Sequence, residues 1–353
     1  MSQIRRQKLS TINVFTGIVT HKLLWQRCLR KTNTKGDRTL PKFDAVFVGL
    51  TIVDIAGRPV KEIPDGGNVA FIEEIRMNPA GTAAGSVMNA SKLGVQTSTV
   101  ACVGNDTMGD FIIDEYLRLG IDVSMVQRSE HSRTSATILP IRPNGERPAL
   151  HSRGASDDLV VSNDQFDEIC NSRFLHLGGT GLMKSMDTGP SAALLSHAKA
   201  AGLTISLDLI APNESTMKLL EDLLPNVDYF MPSMEEAAYL TGQDDPATIA
   251  EVFLKMGAKT CVFKWGERGS YIHTGSDQFS IPAFNVNVSD TTGCGDSYCG
   301  GFIAGLVFGR NLRAACELAT ATSGLVATGL GSDAGVVNLA QVEEFAAKTE
   351  RLS

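Results

Sequence analysis

From residue 43 onward, short apolar runs rich in β-branched residues alternate with longer stretches of helical spacing. The short runs predict buried strands at residues 45–49, 97–103, 174–177, 203–207, 229–231 and 260–263. The longer stretches predict helices at residues 85–93, 109–119, 191–201, 214–224 and 246–256. This alternation is typical of a parallel sheet that is covered by helices on both faces. We therefore predict one doubly wound α/β domain over residues 41–350.

Two segments, residues 54–78 and 132–152, break this alternation. Each has a turn signal between strand-like runs, which is PDGG at residues 64–67 and PNG at residues 143–145. These signals predict hairpins that lie outside the main sheet. The simpler interpretation is ordinary surface hairpins, but two hairpins beside a ligand site would suit a lid, which is the interpretation that we favour.

The first forty residues differ from the rest of the chain in charge. They hold nine Lys and Arg residues against the single acid Asp37, a net charge of +8, so residues 41–353 carry −15 and the whole chain −7. An acid-poor segment with Arg, Ser and Thr resembles an organellar transit peptide, and it equally resembles upstream sequence translated from a misplaced start codon. We favour the misplaced start and expect residues 1–40 to lie outside the fold.

Composition excludes several classes of protein. With 353 residues, 43% of them hydrophobic, the chain can bury a large core. A net charge of −7 argues against nonspecific nucleic-acid binding, and no run approaches the roughly 18 apolar residues of a membrane span. Seven cysteines without a CxxC pair favour a reducing compartment, so we expect the cytoplasm, or an organelle if the leader is a genuine transit peptide. No HExxH pattern supports a zinc site.

The most informative motif is DTTGCGD at residues 290–296, which precedes an apolar helical run. Gly293, Cys294 and Gly295 are small enough for an anion to reach backbone N–H groups at a helix N-terminus, where the helix dipole favours phosphate. Asp296 falls in the first turn of that helix. A carboxylate aimed at a phosphate site suits a general base that takes the proton from an attacking hydroxyl. The alternative role is a helix cap, which is common for Asp.

This motif resembles the C-terminal signature of the PfkB/ribokinase family of carbohydrate and nucleoside kinases, which is close to D-T-x-G-A-G-D. Five weaker motifs follow the order of that family, namely VG…D at 48–54, AG…LG at 80–94, VGND…G at 103–109, PS…E…LTG at 232–242 and K…G…G at 264–269. The resemblance implies a ribokinase-like fold with a central, mainly parallel sheet, flanking helices and a small β lid. It also implies that the cofactors are ATP and Mg²⁺.

The resemblance assigns the catalytic roles to the helix N-terminus. Asp296 matches the catalytic base, and Gly293, Cys294 and Gly295 match the anion hole for the transferring phosphate. Cys294 stands where the family usually has Ala. Because positive potential at a helix N-terminus favours a thiolate, we expect Cys294 to be the most alkylation-sensitive of the seven thiols, provided that the closed lid does not shield it, and to have no catalytic role.

The substrate side is expected to involve both the lid and the first helix. Asp54 matches the acid that binds substrate hydroxyls from the lid, and Gly81 matches a substrate-contacting glycine. Gly85 occupies a position where ribokinase-like and fructokinase-like members usually carry a sugar-binding Asn, so the hydroxyl pattern that this chain accepts need not be that of ribose or fructose. Arg147 and Arg153 suit a carboxylate or phosphate on the substrate, whereas solvated surface arginines are the commoner case.

The nucleotide side is expected at the ends of later strands. Lys264, Gly266 and Gly269 resemble the nucleotide-binding turn of the family. Glu236 matches the acid that organises Mg²⁺ through water, and Ser233 replaces the Asn that usually precedes it by three residues.

Asp290 and Thr292 resemble the loop that holds a monovalent cation in some members, with K⁺ as the expected ion.

We predict an ATP-dependent kinase that phosphorylates a hydroxymethyl group of a small sugar or sugar derivative. The alternatives are a nucleoside kinase and a noncatalytic sugar- or nucleotide-sensing relative. A lid that offers mainly Phe71 for base stacking favours the sugar, and the intact motif favours catalysis. We also expect a homodimer that forms through the lid.

Overall fold

The computed structural model describes residues 40–144 and 146–352. The predicted basic leader therefore lies outside the described residues, apart from Leu40, and so does Gly145 of the second predicted turn. Within the described ranges, no helix combines the length and the apolar character needed to cross a membrane.

Fourteen strands and ten α-helices form the described part of the chain. The strands are β1 (Phe43–Gly49), β2 (Ile52–Arg58), β3 (Glu74–Ala80), β4 (Thr97–Val100), β5 (Cys102–Gly104), β6 (Gln127–Ser129), β7 (Ala136–Pro140), β8 (Leu150–Ser152), β9 (Ser172–Thr180), β10 (Thr204–Leu209), β11 (Tyr229–Phe230), β12 (Thr260–Lys264), β13 (Ser270–His273) and β14 (Gln278–Ile281). The helices are α1 (Thr82–Lys92), α2 (Thr107–Arg118), α3 (Asn163–Ile169), α4 (Pro190–Ala200), α5 (Thr216–Leu223), α6 (Met234–Thr241), α7 (Pro246–Lys255), α8 (Cys294–Val307), α9 (Leu312–Val326) and α10 (Leu339–Lys348).

The main sheet has eight strands in the order β14-β13-β12-β11-β10-β9-β1-β4. Pairing is parallel from β4 to β12, and β13 and β14 add two antiparallel strands at one edge. The carboxyl ends of the parallel strands therefore meet at one edge of the sheet, which is where open α/β sheets bind ligands. The predicted α/β class is confirmed.

Alternate residues of β1 explain why both faces of the sheet are covered. Val46 and Val48 belong to a buried cluster with residues of α3 to α7, whereas Ala45 and Phe47 belong to another cluster with residues of α1, α2 and α8 to α10. Successive side chains of a strand point to opposite faces, so an uninterrupted apolar run must bury both.

One predicted strand is wrong in its extent. The apolar run at residues 97–103 is divided at Ala101 into β4, which is an edge strand of the main sheet, and β5, which pairs with β6 in a separate two-stranded sheet. All seven of these residues are buried. Apolar patterning indicates burial but does not indicate which sheet a residue joins, so the pattern could not locate this division.

The two segments predicted as hairpins form a second sheet of four strands, in the order β3-β2-β7-β8. The pairs β2–β3 and β7–β8 are antiparallel hairpins, and β2 and β7 pair in parallel at the centre. We call this the lid sheet. Two residues separate the end of β1 from the first strand of the lid sheet, at the carboxyl edge of the main sheet.

Candidate active site

The N-terminus of α8 has the geometry that an anion site needs. Gly293 is its N-cap with φ of 73°, and no side chain forms a hydrogen bond that caps this end of the helix. A Cβ atom at Gly293 would lie only 2.4 Å from Cα of Ser332, so both the backbone conformation and the close packing require glycine. The N–H of Cys294 donates to the carbonyl oxygen of Thr291 at 3.3 Å, which leaves the next two N–H groups, those of Gly295 and Asp296, available to a bound anion.

Asp296 lies in the first turn of α8 and packs against α1. A Cβ atom at Gly85 would lie 2.6 Å from Cβ of Asp296, so α1 leaves no space for a side chain at position 85. Burial raises the pKa of Asp296, the Lys264 ammonium and the Arg147 guanidinium oppose this shift, and the Glu236 carboxylate adds to it. A carboxylate whose pKa is raised is a stronger base at neutral pH than an ordinary Asp.

Lys264, at the end of β12, lies beside the same helix N-terminus. Its Nζ is 2.5 Å from Oδ2 of Asp208, which is fully buried at the end of β10, and a Cβ atom at Gly295 would lie 3.4 Å from that Nζ. Burial lowers the pKa of Lys264, but Asp208, Cys299 and Glu236 together outweigh burial, and the pKa is raised. The structure thus places a permanently charged ammonium next to the predicted anion hole. Gly266 begins a short 3₁₀ turn directly after β12, and Gly269 follows that turn.

Glu236 and Ser233 form a reciprocal cap at the start of α6. Oγ of Ser233 accepts from the backbone N–H of Glu236 at 3.1 Å, and Oε2 of Glu236 accepts from the backbone N–H of Ser233 at 2.9 Å. Ser233 is bridged to Lys264, so this cap adjoins the anion hole. Burial and the Asp208 carboxylate raise the pKa of Glu236, and Lys264 opposes them.

The lid sheet places four polar residues in one row across its strands. By register, Asn78 of β3 is opposite Asp54 of β2, which is opposite Thr137 of β7, which is opposite His151 of β8. Oγ1 of Thr137 is 3.0 Å from Nδ1 of His151. Burial raises the pKa of Asp54 to about 7, the hydrogen bond from Thr137 opposes this, and the Asp296 carboxylate adds to it. We call these residues the polar row.

The two predicted arginines differ in their placement. Nη1 of Arg147 donates to Oγ1 of Thr292 at 2.7 Å. This guanidinium also opposes the rise in the pKa of Asp54. Arg153 instead forms a two-point ion pair with Asp157 at 2.9 and 3.0 Å, and it donates to the carbonyl oxygen of Leu182. The structure therefore joins Arg147, but not Arg153, to the cluster around Asp296.

Residues for a metal ion are sparse in this cluster. No group of three or more His, Cys, Asp and Glu side chains that could ligate a metal directly occurs in the part of the chain that the structure describes. Glu236 has one carboxylate oxygen in its helix cap, which leaves the other for a water-mediated contact with Mg²⁺. Asp290 accepts from the N–H and hydroxyl of Thr292 at 2.9 and 2.7 Å and from the N–H of Gly331 at 3.3 Å, so it organises the loop expected to hold K⁺.

The structure does not favour a thiolate at Cys294. Its Sγ donates to the carbonyl oxygen of Ser323 at 3.7 Å, and burial raises the pKa of the thiol to about 12. Cys294 is nevertheless partly exposed, whereas Cys102, Cys261, Cys299 and Cys316 are buried, so its rank among the described thiols stays a prediction. Gly81, the expected substrate-contacting glycine, is the N-cap of α1 and packs on the carbonyl of Leu50.

The sequence analysis missed Asn78, Thr137 and His151 of the polar row and the buried Asp208. Alternation within β3 is a signal for Asn78, because Glu74, Arg76 and Asn78 occupy every second position there, whereas β2 and β7 show no such alternation. An acid at the end of an apolar strand run is a signal for Asp208. Neither signal says that these residues meet Asp54 or Lys264.

The family model that describes pfkB family carbohydrate kinases matches residues 42–338 of this chain. A 2-dehydro-3-deoxygluconokinase from Bacillus subtilis is 27% identical over 277 residues, which cover 75% of this chain and 86% of that protein. Fructokinase-2 from rice, Oryza sativa, is 26% identical over 305 residues, covering 81% and 90%. The structure of Arabidopsis thaliana ribokinase complexed with ribose and ATP superposes with a TM-score of 0.75 at 20% identity, covering 87% of this chain and 99% of that one. These matches confirm the predicted family and fold. The chain belongs to the pfkB family of carbohydrate kinases.

Proposed function

We propose that this kinase transfers the γ-phosphoryl group of ATP to a hydroxymethyl group of a small sugar or sugar derivative. The observation that carries the proposal is the position of Asp296 in the first turn of α8, at a helix N-terminus that has no side-chain cap and that Lys264 adjoins. Asp296 is suited to accept a proton beside this anion site, and Asp54 on the lid sheet is suited to hold substrate hydroxyls.

In the proposed reaction, Asp296 accepts the proton of the attacking hydroxymethyl group as the new O–P bond forms and the bond to the leaving phosphate breaks. The N–H groups of Gly295 and Asp296 and the Lys264 ammonium stabilise the negative charge on the transferring group. Asp54 and its neighbours in the polar row hold the sugar so that its hydroxymethyl oxygen faces the phosphoryl group. The lid sheet limits the access of water to this space.

The residues present fit a nucleotide and Mg²⁺. The uncapped helix N-terminus and the nearby Lys264 suit the phosphates, and the carboxylate oxygen of Glu236 that lies outside the helix cap suits a divalent cation held through water. When bound, ATP supplies the phosphoryl group and Mg²⁺ neutralises phosphate charge. The related Arabidopsis ribokinase binds ATP, which adds support. We also propose that K⁺ binds beside Asp290. A comparison of turnover in a potassium salt with turnover in a tetramethylammonium salt tests this.

The polar row favours a sugar over a nucleoside. Its four side chains are an amide, a carboxylate, a hydroxyl and an imidazole, so it offers hydrogen bonds to hydroxyl groups and no large aromatic face. Phe71, the aromatic residue considered for base stacking, is 96% exposed in the loop between β2 and β3. A nucleoside base would need a stacking partner that this row does not supply.

Arg147 favours a substrate that carries a carboxylate. Its guanidinium lies near Asp54, and a planar fork suits two-point recognition of a carboxylate. The related 2-dehydro-3-deoxygluconokinase is named for a sugar acid of this kind. We therefore include sugar acids among the first substrates to be tested.

The outer face of the lid sheet supports the proposed homodimer. On the face of the lid sheet that points away from the polar row, a second row contains Met77, Ile138 and Leu150, which are 40%, 53% and 64% exposed. Ile75, which is 71% exposed, lies on the same face. A cluster of exposed apolar side chains marks an interaction surface. Ile138→Asp should convert a dimer to a monomer in light scattering, whereas Tyr239→Ser, at an exposed apolar site on α6, should not.

The test of the proposed function is ATP consumption with a panel of pentoses, hexoses, keto-sugar acids and nucleosides. We expect turnover with at least one sugar or sugar acid, phosphorylated at a hydroxymethyl group, and none with nucleosides. Turnover with adenosine alone would favour the nucleoside kinase, and no turnover with any member would favour a noncatalytic relative.

A further inference from the structure

Asn78 has a buried side-chain donor without a partner. The residue is 7% exposed near the end of β3, and its Nδ2 has no hydrogen-bond acceptor among the residues that the structure describes. An unpaired buried amide costs stability, roughly 1–3 kcal/mol, so such groups are uncommon in native structures unless they serve a ligand. The role of this amide is thus not explained by the folded chain itself.

The surroundings of Asn78 place the amide at the substrate site. Asp54 is its direct cross-strand partner, so the two Cβ atoms are on one face of the lid sheet at a typical separation of about 5 Å. The backbone of Gly331 lies on the other side, because a Cβ atom at Gly331 would be 2.7 Å from Nδ2. The N–H of Gly331 also donates to Asp290, whose carboxylate raises the pKa of Asp54. The amide therefore adjoins the same cluster that Asp54 faces.

A donor beside a carboxylate acceptor is complementary to hydroxyl groups. A hydroxyl can donate to Asp54 and accept from Nδ2 of Asn78, or two adjacent hydroxyls can take one contact each. On the opposite wall, Gly85 offers no side chain, because Asp296 fills that space. The amide on the lid is thus placed to supply a contact that α1 does not supply.

We propose that Asn78 is a specificity-determining residue that donates through Nδ2 to a hydroxyl or carbonyl oxygen of the sugar, next to the hydroxyl that Asp54 accepts from. This inference rests on the proposed sugar kinase function and adds a residue to it. It explains why a donor is kept unpaired in the free protein, since the bound sugar completes its hydrogen bond. It also predicts that stability and recognition change in opposite directions when the amide is removed.

The experiment compares Asn78→Leu, which is close in size but apolar, with Thr97→Val as a matched control. Thr97 is 3% exposed on β4, at the far edge of the main sheet, and its Oγ1 is likewise buried without a partner among the described residues. Melting of the free proteins and steady-state kinetics with the best sugar of the panel are measured for both variants. We expect both variants to melt at or above the wild-type temperature.

In kinetics, only Asn78→Leu should differ from the wild type. We expect the KM for the sugar to rise tenfold or more with kcat within about threefold, and the KM for ATP to be unchanged. A deoxy analogue that lacks the contacted hydroxyl should be a poor substrate for the wild type and should lose little further in the variant.

Two results would overturn the inference. A melting temperature several degrees below that of the wild type would make Asn78 a structural residue, and an unchanged sugar KM would mean that its amide binds water or nothing. If the wild type phosphorylates no sugar, the proposed function is wrong and this inference is wrong with it. If the wild type phosphorylates a sugar but Asn78→Leu does not behave as expected, only this inference is wrong.

Discussion

Asp54→Asn should stabilise the protein at neutral and alkaline pH. Asp54 is 8% exposed, and burial, aided by the Asp296 and Asp290 carboxylates, raises the pKa of its carboxyl group from 3.8 to about 7. Thr137 and Arg147 favour the charged form but do not outweigh these effects. Asparagine keeps the size and can still accept from Thr137, and it removes the cost of a buried charge.

The sign and size of the effect follow from the two pKa values. Between about pH 4 and pH 7 the folded chain holds one more proton at Asp54 than the unfolded chain, so the stability of the wild type falls as the pH rises through this window. A shift of about 3 pKa units corresponds to at most about 4 kcal/mol at pH 8. Because water can enter beneath a thin sheet, we expect about 1–3 kcal/mol.

The assay is urea unfolding of wild type and Asp54→Asn at pH 5, 6, 7 and 8, followed by circular dichroism. The advantage of the variant should grow from pH 5 to pH 7 and then level off, while its sugar KM rises at least tenfold. Asp65→Asn, at an exposed position in the loop between β2 and β3, is the control and should show no such growth. A variant that is less stable than the wild type at pH 8, or whose advantage is the same at all four pH values, would refute the reasoning.

Four further predictions concern other parts of the chain. Asp296→Asn should still fold and bind ATP but lose roughly 10²-fold or more in turnover, and near-normal turnover would rule it out as the base. Arg147→Ala should raise the KM for a sugar acid at least tenfold more than Arg153→Ala does, and equal effects of the two substitutions would contradict their different placement. A chain that begins at Leu40 should fold with full activity, which soluble yield and turnover check; loss of either would mean that the leader contributes to the domain. Cys294→Ala should keep turnover, and mass spectrometry after iodoacetamide treatment should find that Cys294 is modified slowly; rapid labelling that ATP slows would restore the thiolate hypothesis.

The sequence by itself determined the elements of the main domain and the chemistry of one helix N-terminus. Apolar runs fixed β1, β9, β10 and β12 to within a few residues, because burial of both strand faces is a local requirement. The DTTGCGD motif likewise located the start of α8, because the left-handed cap at Gly293 and the small residues after it are local demands of the backbone.

The tertiary structure decided which residues meet. Sheet register placed Asn78 beside Asp54, strand order brought Asp208 to Lys264, and packing directed the Cys294 thiol to the carbonyl oxygen of Ser323. Local patterns report only which side of an element is buried, whereas contacts between residues far apart in sequence depend on how sheets pair and how helices pack on them. The catalytic motif could therefore be recognised along the chain, but the cluster that surrounds it could be recognised only in the folded protein.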